Sequence, residues 1–237
     1  MPPRENCILD PARPLHISHT AAGPTIAVVS TNSVTTAQHM SAAEAAHAAA
    51  LPTPKRRAEW LAGRLAAKHA VQAYRQRHFD ILDATNDIVV RTIGAGPRAG
   101  MPVVDAAVGI SISHSGDLAI AACMSGPVGI DLERNRVFSP LLVAGLGTAT
   151  PAETGGGHSR LDTMGTPLRW ACREAVLKYF GFGLRVDPRE VRLTRWHPDG
   201  EFQWAAGPHL RTAAAADRWP QRAWAVERTG YSLALIW

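Results

Sequence analysis

The chain has 237 residues, 46% hydrophobic and 19% charged, with a net charge of +5, which suits a globular protein able to bury one large core or two smaller ones. No apolar run approaches the roughly 18 residues of a membrane span, and the stretch from Met1 to Pro14 is rich in proline and charge without the apolar region of a secretory leader. A cytoplasmic protein without membrane attachment is expected, and its positive charge favours an acidic partner: nucleic acid, an anionic small molecule or an acidic protein surface.

Residues 1–24 hold five prolines and no sustained period, and read as an extended N-terminal segment. A strand is expected at Thr25 to Ser30. Ser41 followed by Glu44 is a capping-box pattern and predicts a helix from Ser41 to Leu51, ended by Pro52 and Pro54. The longest helical pattern runs from Lys55 to Arg77, with Trp60, Leu61, Leu65 and Val71 among basic residues near a period of 3.6. Strands are expected at Ile88 to Ile93 and Val108 to Ser113, then a turn at His114 to Asp117 and a returning strand at Leu118 to Met124.

Pro127 to Glu133 is the next strand, and the glycine-rich stretch 145–167 reads as a loop. A helix from Leu168 to Phe180 closes on Gly181, a residue suited to the left-handed cap. Four further strands are expected at Glu190 to Trp196, Glu201 to Ala205, Arg222 to Glu227 and Tyr231 to Trp237. Each half of the chain therefore places a helix before strands and ends on a hairpin, either as a weak duplication or as two generic hairpins. Cys7, Cys123 and Cys172 lack metal or redox spacing and read as reduced thiols.

The chemistry concentrates in two short segments. In Gly129-Ile130-Asp131-Leu132-Glu133 the two carboxylates project from one face of a strand, because side chains alternate with period two. In Trp170 to Lys178, Glu174 and Lys178 stand at i and i+4, one turn apart on one helical stripe. Three carboxylates without histidine or thiol partners form a hard oxygen site suited to Mg²⁺ or Mn²⁺ rather than zinc. Mg²⁺ completes its shell with phosphate oxygens, so a phosphate or pyrophosphate substrate is expected. Arg56 and Arg64, eight residues apart, return to nearly the same helical face after two turns and suit bidentate phosphate contact; Arg57 is near enough to replace Arg56.

Together with Ile112-Ser113-His114-Ser115, Gly181-Phe182-Gly183-Leu184, and Arg56, Arg57 and Leu61-Ala62-Gly63-Arg64, these segments resemble, in order and spacing, the signature of the Sfp-type 4′-phosphopantetheinyl transferases over roughly residues 25 to 237. The resemblance implies an α+β fold of two similar pseudo-symmetric lobes, each a small mostly antiparallel sheet packed by a long helix, spanning 25–126 and 127–237 after the segment 1–24. It implies transfer of the phosphopantetheine arm of coenzyme A to a serine of an apo acyl or peptidyl carrier protein, releasing 3′,5′-ADP, by a Mg²⁺-dependent monomer. Asp131, Glu133 and Glu174 are then the metal acids, with Glu174 also a candidate base. Lys178 contacts the pyrophosphate, and Ser113 and His114 bind the 3′-phosphate end of coenzyme A.

Three departures stand out. Gly100-Met101-Pro102 lacks the lysine usual between its glycine and proline, for which Arg98 is the substitute expected; Arg173 takes the place of a lysine before Glu174; and the loop 145–167, where Glu153 is a candidate further acid, is unusually glycine-rich. Two other classes of function compete: a non-catalytic module that binds carrier protein or coenzyme A, and a nucleic-acid binder, against which stands the lack of a reader motif or stacking platform.

Overall fold

The structure is a computed structural model and describes residues 15–19, 23–34, 39–140, 143, 159–228 and 230–237. In chain order its elements are β1 (Leu15–His19), β2 (Thr25–Ser30), α1 (Ala42–Ala49), α2 (Pro54–Phe79), β3 (Val90–Thr92), β4 (Pro102–Val104), β5 (Gly109–Ser115), β6 (Leu118–Met124), β7 (Gly129–Arg134), α3 (Thr166–Tyr179), β8 (Val191–Trp196), β9 (Phe202–Ala206), α4 (Pro208–Ala213), β10 (Ala223–Arg228) and β11 (Tyr231–Ile236). The fold is mixed α+β, with four small sheets: β1-β2-β6-β5, β10-β11-β7, β3-β4 and β8-β9, all with antiparallel pairing.

The central strands carry continuous apolar runs because both faces of each larger sheet are covered. Ala27, Val29, Ala119 and Ala121 pack against Ala62, Ala66, Ala70 and Val71 of α2, where small side chains let the helix sit close. The alternate residues Ile26, Val28, Leu118 and Ile120 point the other way and meet Ile130, Leu132, Leu233 and Leu235 of the second sheet. Ala234 and Ile236 then turn to α3, against Leu168, Ala171, Ala175 and Val176. The layers run helix, sheet, sheet, helix. The two halves share a connectivity: strand, long helix, short hairpin, closing hairpin, with order β2-β6-β5 in one sheet and β7-β11-β10 in the other.

Helix ends follow their local chemistry. Ser41 caps α1 and forms the reciprocal capping box with Glu44. Pro54 does not merely end α1; it opens α2 behind the N-cap Thr53, since proline lacks only an N–H that the first turn leaves unused. Gly181, at φ 78°, closes α3 in the left-handed conformation, with the Phe182 N–H donating to the Leu177 carbonyl at 3.0 Å.

Several expectations change. The N-terminal segment is not wholly irregular, because Leu15–His19 adds β1 to the edge of the first sheet. His114 and Ser115 belong to β5 rather than to a turn; the hairpin turns on Gly116 and Asp117 alone, with Gly116 at φ 62°. The short elements β4 and α4 were not expected. Cys7, most of the 145–167 loop and Glu153 lie outside the described residues.

Candidate functional site

Gly129 brings the site together. A Cβ at this position would lie 2.0 Å from the Ala175 carbonyl oxygen and 2.7 Å from the Tyr179 nitrogen, so only glycine lets β7 run directly beneath α3. Glu174 and Lys178 of the helix are thereby held over Asp131 of the strand. Lys178 Nζ lies 2.5 Å from Asp131 Oδ1 and 3.5 Å from Glu174 Oε2. Asp131 is 1% exposed; Ser113 Oγ donates to its Oδ1 at 2.7 Å, while Oδ2 is buried without a hydrogen-bond partner. Glu133, the next residue on that strand face, accepts from Ser115 Oγ at 3.2 Å.

The electrostatics follow from three carboxylates facing one ammonium. Burial first, then Glu174 and Glu133, pushes the Asp131 carboxyl up to about 8, against the lowering pull of Lys178. Burial and Glu174 likewise raise Glu133. For Lys178, burial pulls down, but Asp131 and Glu174 outweigh it and hold the ammonium above its ordinary value. The lysine keeps its proton, and Asp131 holds on to its own well above the ordinary carboxylate range.

Two adjoining cavities, of about 480 and 510 Å³, share a wall of Gly100, Pro102 and Ile112. The first is bordered by Arg56, Glu59, Trp60, Arg64, Thr92 and His114, and the second includes Met101, Glu174, Lys178, Phe182 and Arg185. Arg64 is fixed from two sides: its guanidinium lies 5.0 Å over the Trp60 ring, and Nη2 donates to Thr92 Oγ1 at 2.7 Å. Its Nη1 is buried with no hydrogen-bond partner. His114 lies on the exposed wall of this cavity, where desolvation by the surrounding protein, helped by Lys178 and Lys55, lowers its pKa against the pull of Glu59 and Glu174.

The structure thus gathers Asp131, Glu174 and Lys178 at one place, with Glu133 beside Ser115, and ranges Arg56, Arg64 and His114 around the first cavity. It does not bring Arg98 to either cavity. That guanidinium pairs with Asp217 and lies 5.9 Å from the Phe182 ring centre, joining the 94–100 loop to the second half of the chain. Arg57 does not replace Arg56, because Nε and Nη2 bind the carbonyls of Ala48 and Ala49 at the end of α1. Ser113 borders neither cavity and is turned to Asp131. Thr92, Ser111 and Arg185 also border the cavities and Ser115 braces Glu133, although no motif gives any of them a role. Ser111-x-Ser113-x-Ser115 is a visible alternation in the sequence, whereas Thr92 and Arg185 reach the site only through tertiary placement.

Among the described residues, no group of three or more His, Cys, Asp or Glu side chains is gathered closely enough to hold a metal ion; Lys178 stands between two of the acids. The donor chemistry nevertheless fits a hard divalent cation, for which the orphaned Asp131 Oδ2 is an available oxygen. No protein-family model and no curated protein matches the chain. Fold and site together define a mixed α+β protein in which a cleft bordered by Arg56 and Arg64 adjoins one bordered by Glu174 and Lys178, with Asp131 buried behind them.

Proposed function

We propose that this protein is a 4′-phosphopantetheinyl transferase of the Sfp type, moving the phosphopantetheine arm of coenzyme A to a serine of an apo acyl or peptidyl carrier protein. One observation carries the reading: a buried arginine donor, Arg64 Nη1, and a buried acid oxygen, Asp131 Oδ2, are both without partners. The arginine calls for an anion and the acid for a cation, which is the demand of a metal-bound phosphate ester. The shared connectivity of the halves supports a fold of two pseudo-symmetric lobes, 25–126 and 127–237, with the cofactor cleft between them.

In this mechanism Arg56, Arg64 and His114 hold the 3′-phosphate end of coenzyme A, and the wall formed by Gly100 and Pro102 accepts the nucleoside. Lys178 faces the pyrophosphate and offsets charge gathering on the departing 3′,5′-ADP. Glu174 takes the proton of the carrier serine as its oxygen bonds to the phosphorus bearing the pantetheine arm. The bond from that phosphorus to the bridging oxygen breaks, and 3′,5′-ADP leaves with the electron pair. Asp131, Glu133 and Glu174 would hold Mg²⁺, which supplies neutralisation of the phosphate oxygens when bound. An acidic carrier is drawn to the basic chain and released by salt.

The test is incubation with coenzyme A, Mg²⁺ and a panel of apo acyl and peptidyl carrier proteins, read by mass spectrometry. The reading requires a mass gain of one phosphopantetheine group on at least one carrier, lost in Asp131→Ala and Glu174→Ala. No gain on any carrier, or full turnover by either variant, defeats it. A non-catalytic module binding the same ligands is the second reading, favoured by the Lys178 bridge between two acids; it requires 3′,5′-ADP binding without transfer.

A further inference from the structure

Three serines of β5 face β7 in step with its backbone. Ser111 Oγ accepts from the Ile130 N–H at 3.0 Å, Ser113 Oγ from Leu132 at 3.2 Å, and Ser115 Oγ from Arg134 at 3.0 Å. β5 is the end strand of the first sheet and β7 of the second. Two edges left unpaired in their own sheets therefore meet, and hydroxyls stand in for the carbonyls that a neighbouring strand would offer. The period of two shared by both strands keeps three rungs in register.

The rungs are not equivalent. Ser113 also donates to Asp131 Oδ1 at 2.7 Å and Ser115 to Glu133 Oε2 at 3.2 Å, whereas Ser111 has no carboxylate partner among the described residues. A hydroxyl has one proton to donate; with a lone pair already taken by a β7 amide, that proton is directed at the acid on the same strand. For Asp131, Ser113 and Lys178 both engage Oδ1, so Oδ2 is the oxygen left to present.

Resting on the transferase reading above, we propose that Ser113 and Ser115 are positioning residues that bind the β7 backbone and orient the carboxylates of Asp131 and Glu133 toward a divalent cation, while Ser111, at the wall of the second cavity, binds the backbone without orienting an acid. The seam and the acid site are then one device: the hydroxyls that join the two sheets also choose which carboxylate oxygens face the metal.

The variants Ser111→Ala, Ser113→Ala and Ser115→Ala separate these roles without measuring turnover. Amide hydrogen exchange reports the seam, and each variant is expected to speed exchange at its own rung, Ile130, Leu132 or Arg134. Titration of metal-free protein with Mn²⁺ in the presence of 3′,5′-ADP, followed by electron paramagnetic resonance, reports orientation. Ser113→Ala and Ser115→Ala are expected to weaken Mn²⁺ binding about tenfold or more, the usual effect of removing a group that orients a metal ligand. Ser111→Ala leaves Mn²⁺ binding unchanged, and Ser115→Thr, which keeps the hydroxyl, restores it. Wild type that binds Mn²⁺ with all three alanine variants equal to it refutes the positioning role alone. Wild type that takes up no Mn²⁺ refutes both that role and the metal-assisted transfer reading, and unaltered exchange at all three amides refutes the seam.

Discussion

Lys178 and Asp131 are paired across a helix and a strand, Nζ to Oδ1 at 2.5 Å, yet the pair does not neutralise its surroundings because Glu133 and Glu174 add negative charge. Asp131 is pushed from 3.8 to about 8, so within that window the folded chain keeps a proton that the unfolded chain has lost. Stability from this group is therefore present at the acid end and declines as pH rises. Asp131→Asn is expected to remove that part of the decline, flattening the pH dependence of the metal-free Tm between about pH 4 and pH 8, while abolishing transfer. Thermal scans of both proteins across this range check it; superimposable pH profiles would count against the pairing.

His114 sits in the cleft with its pKa lowered, so near neutral pH the free protein holds it largely uncharged. A bound phosphate favours the imidazolium and raises that pKa, so binding takes up a proton. Affinity for 3′,5′-ADP should fall as the pH rises from about 6 to about 8, and His114→Gln should flatten the slope. Calorimetry in buffers of different ionisation enthalpy reads the proton uptake directly.

Arg64 and Arg98 separate two kinds of arginine. Arg64 has a buried unpartnered nitrogen at the cleft, whereas Arg98 is engaged with Asp217 and Phe182. Arg64→Ala is expected to raise the KM for coenzyme A about tenfold or more, since a charge-assisted hydrogen bond contributes around 1.5–3 kcal/mol. Arg98→Ala should leave KM nearly unchanged and lower Tm. Steady-state kinetics with the two variants side by side would expose a reversed pattern.

Lys68 and Glu44 form a buried ion pair between α2 and α1, 2.7 Å apart, with Lys68 fully buried. Glu44 also accepts from the Ser41 and Val90 backbones at 2.9 and 3.2 Å. Burial raises its pKa, but Lys68 and these amides overcome it and leave the carboxyl below its ordinary value; its stabilisation is lost as pH falls through that lowered value. Lys68→Met strands a buried carboxylate and should cost about 3–5 kcal/mol in urea unfolding, and adding Glu44→Gln should recover most of that loss.

The parts legible in the sequence were those governed by local rules. The capping box at Ser41 and Glu44, the left-handed cap at Gly181 and the face-sharing of Asp131 with Glu133 depend on neighbours along the chain. What escaped depends on distant partners. Lys68 looked like one basic residue among many on α2, and its burial is decided by Glu44, 24 residues away. Arg98 was expected at the cofactor because a nearby lysine was missing, but Asp217, 119 residues away, claims it. Ser115 read as a turn residue because Ser-Gly-Asp is turn chemistry; the turn needed only Gly116 and Asp117, and β7 provided Ser115 with a strand-like partner.

Gly129 touches no proposed substrate, yet it governs the clearance between strand and helix. Any side chain there would lift α3 from β7 and carry Lys178 and Glu174 away from Asp131, and displacements of about 1 Å can cost a hundredfold in rate. Genetic screens would therefore score this position as catalytic although no atom of it reacts, and efforts to stiffen the protein by replacing glycines should pass over it.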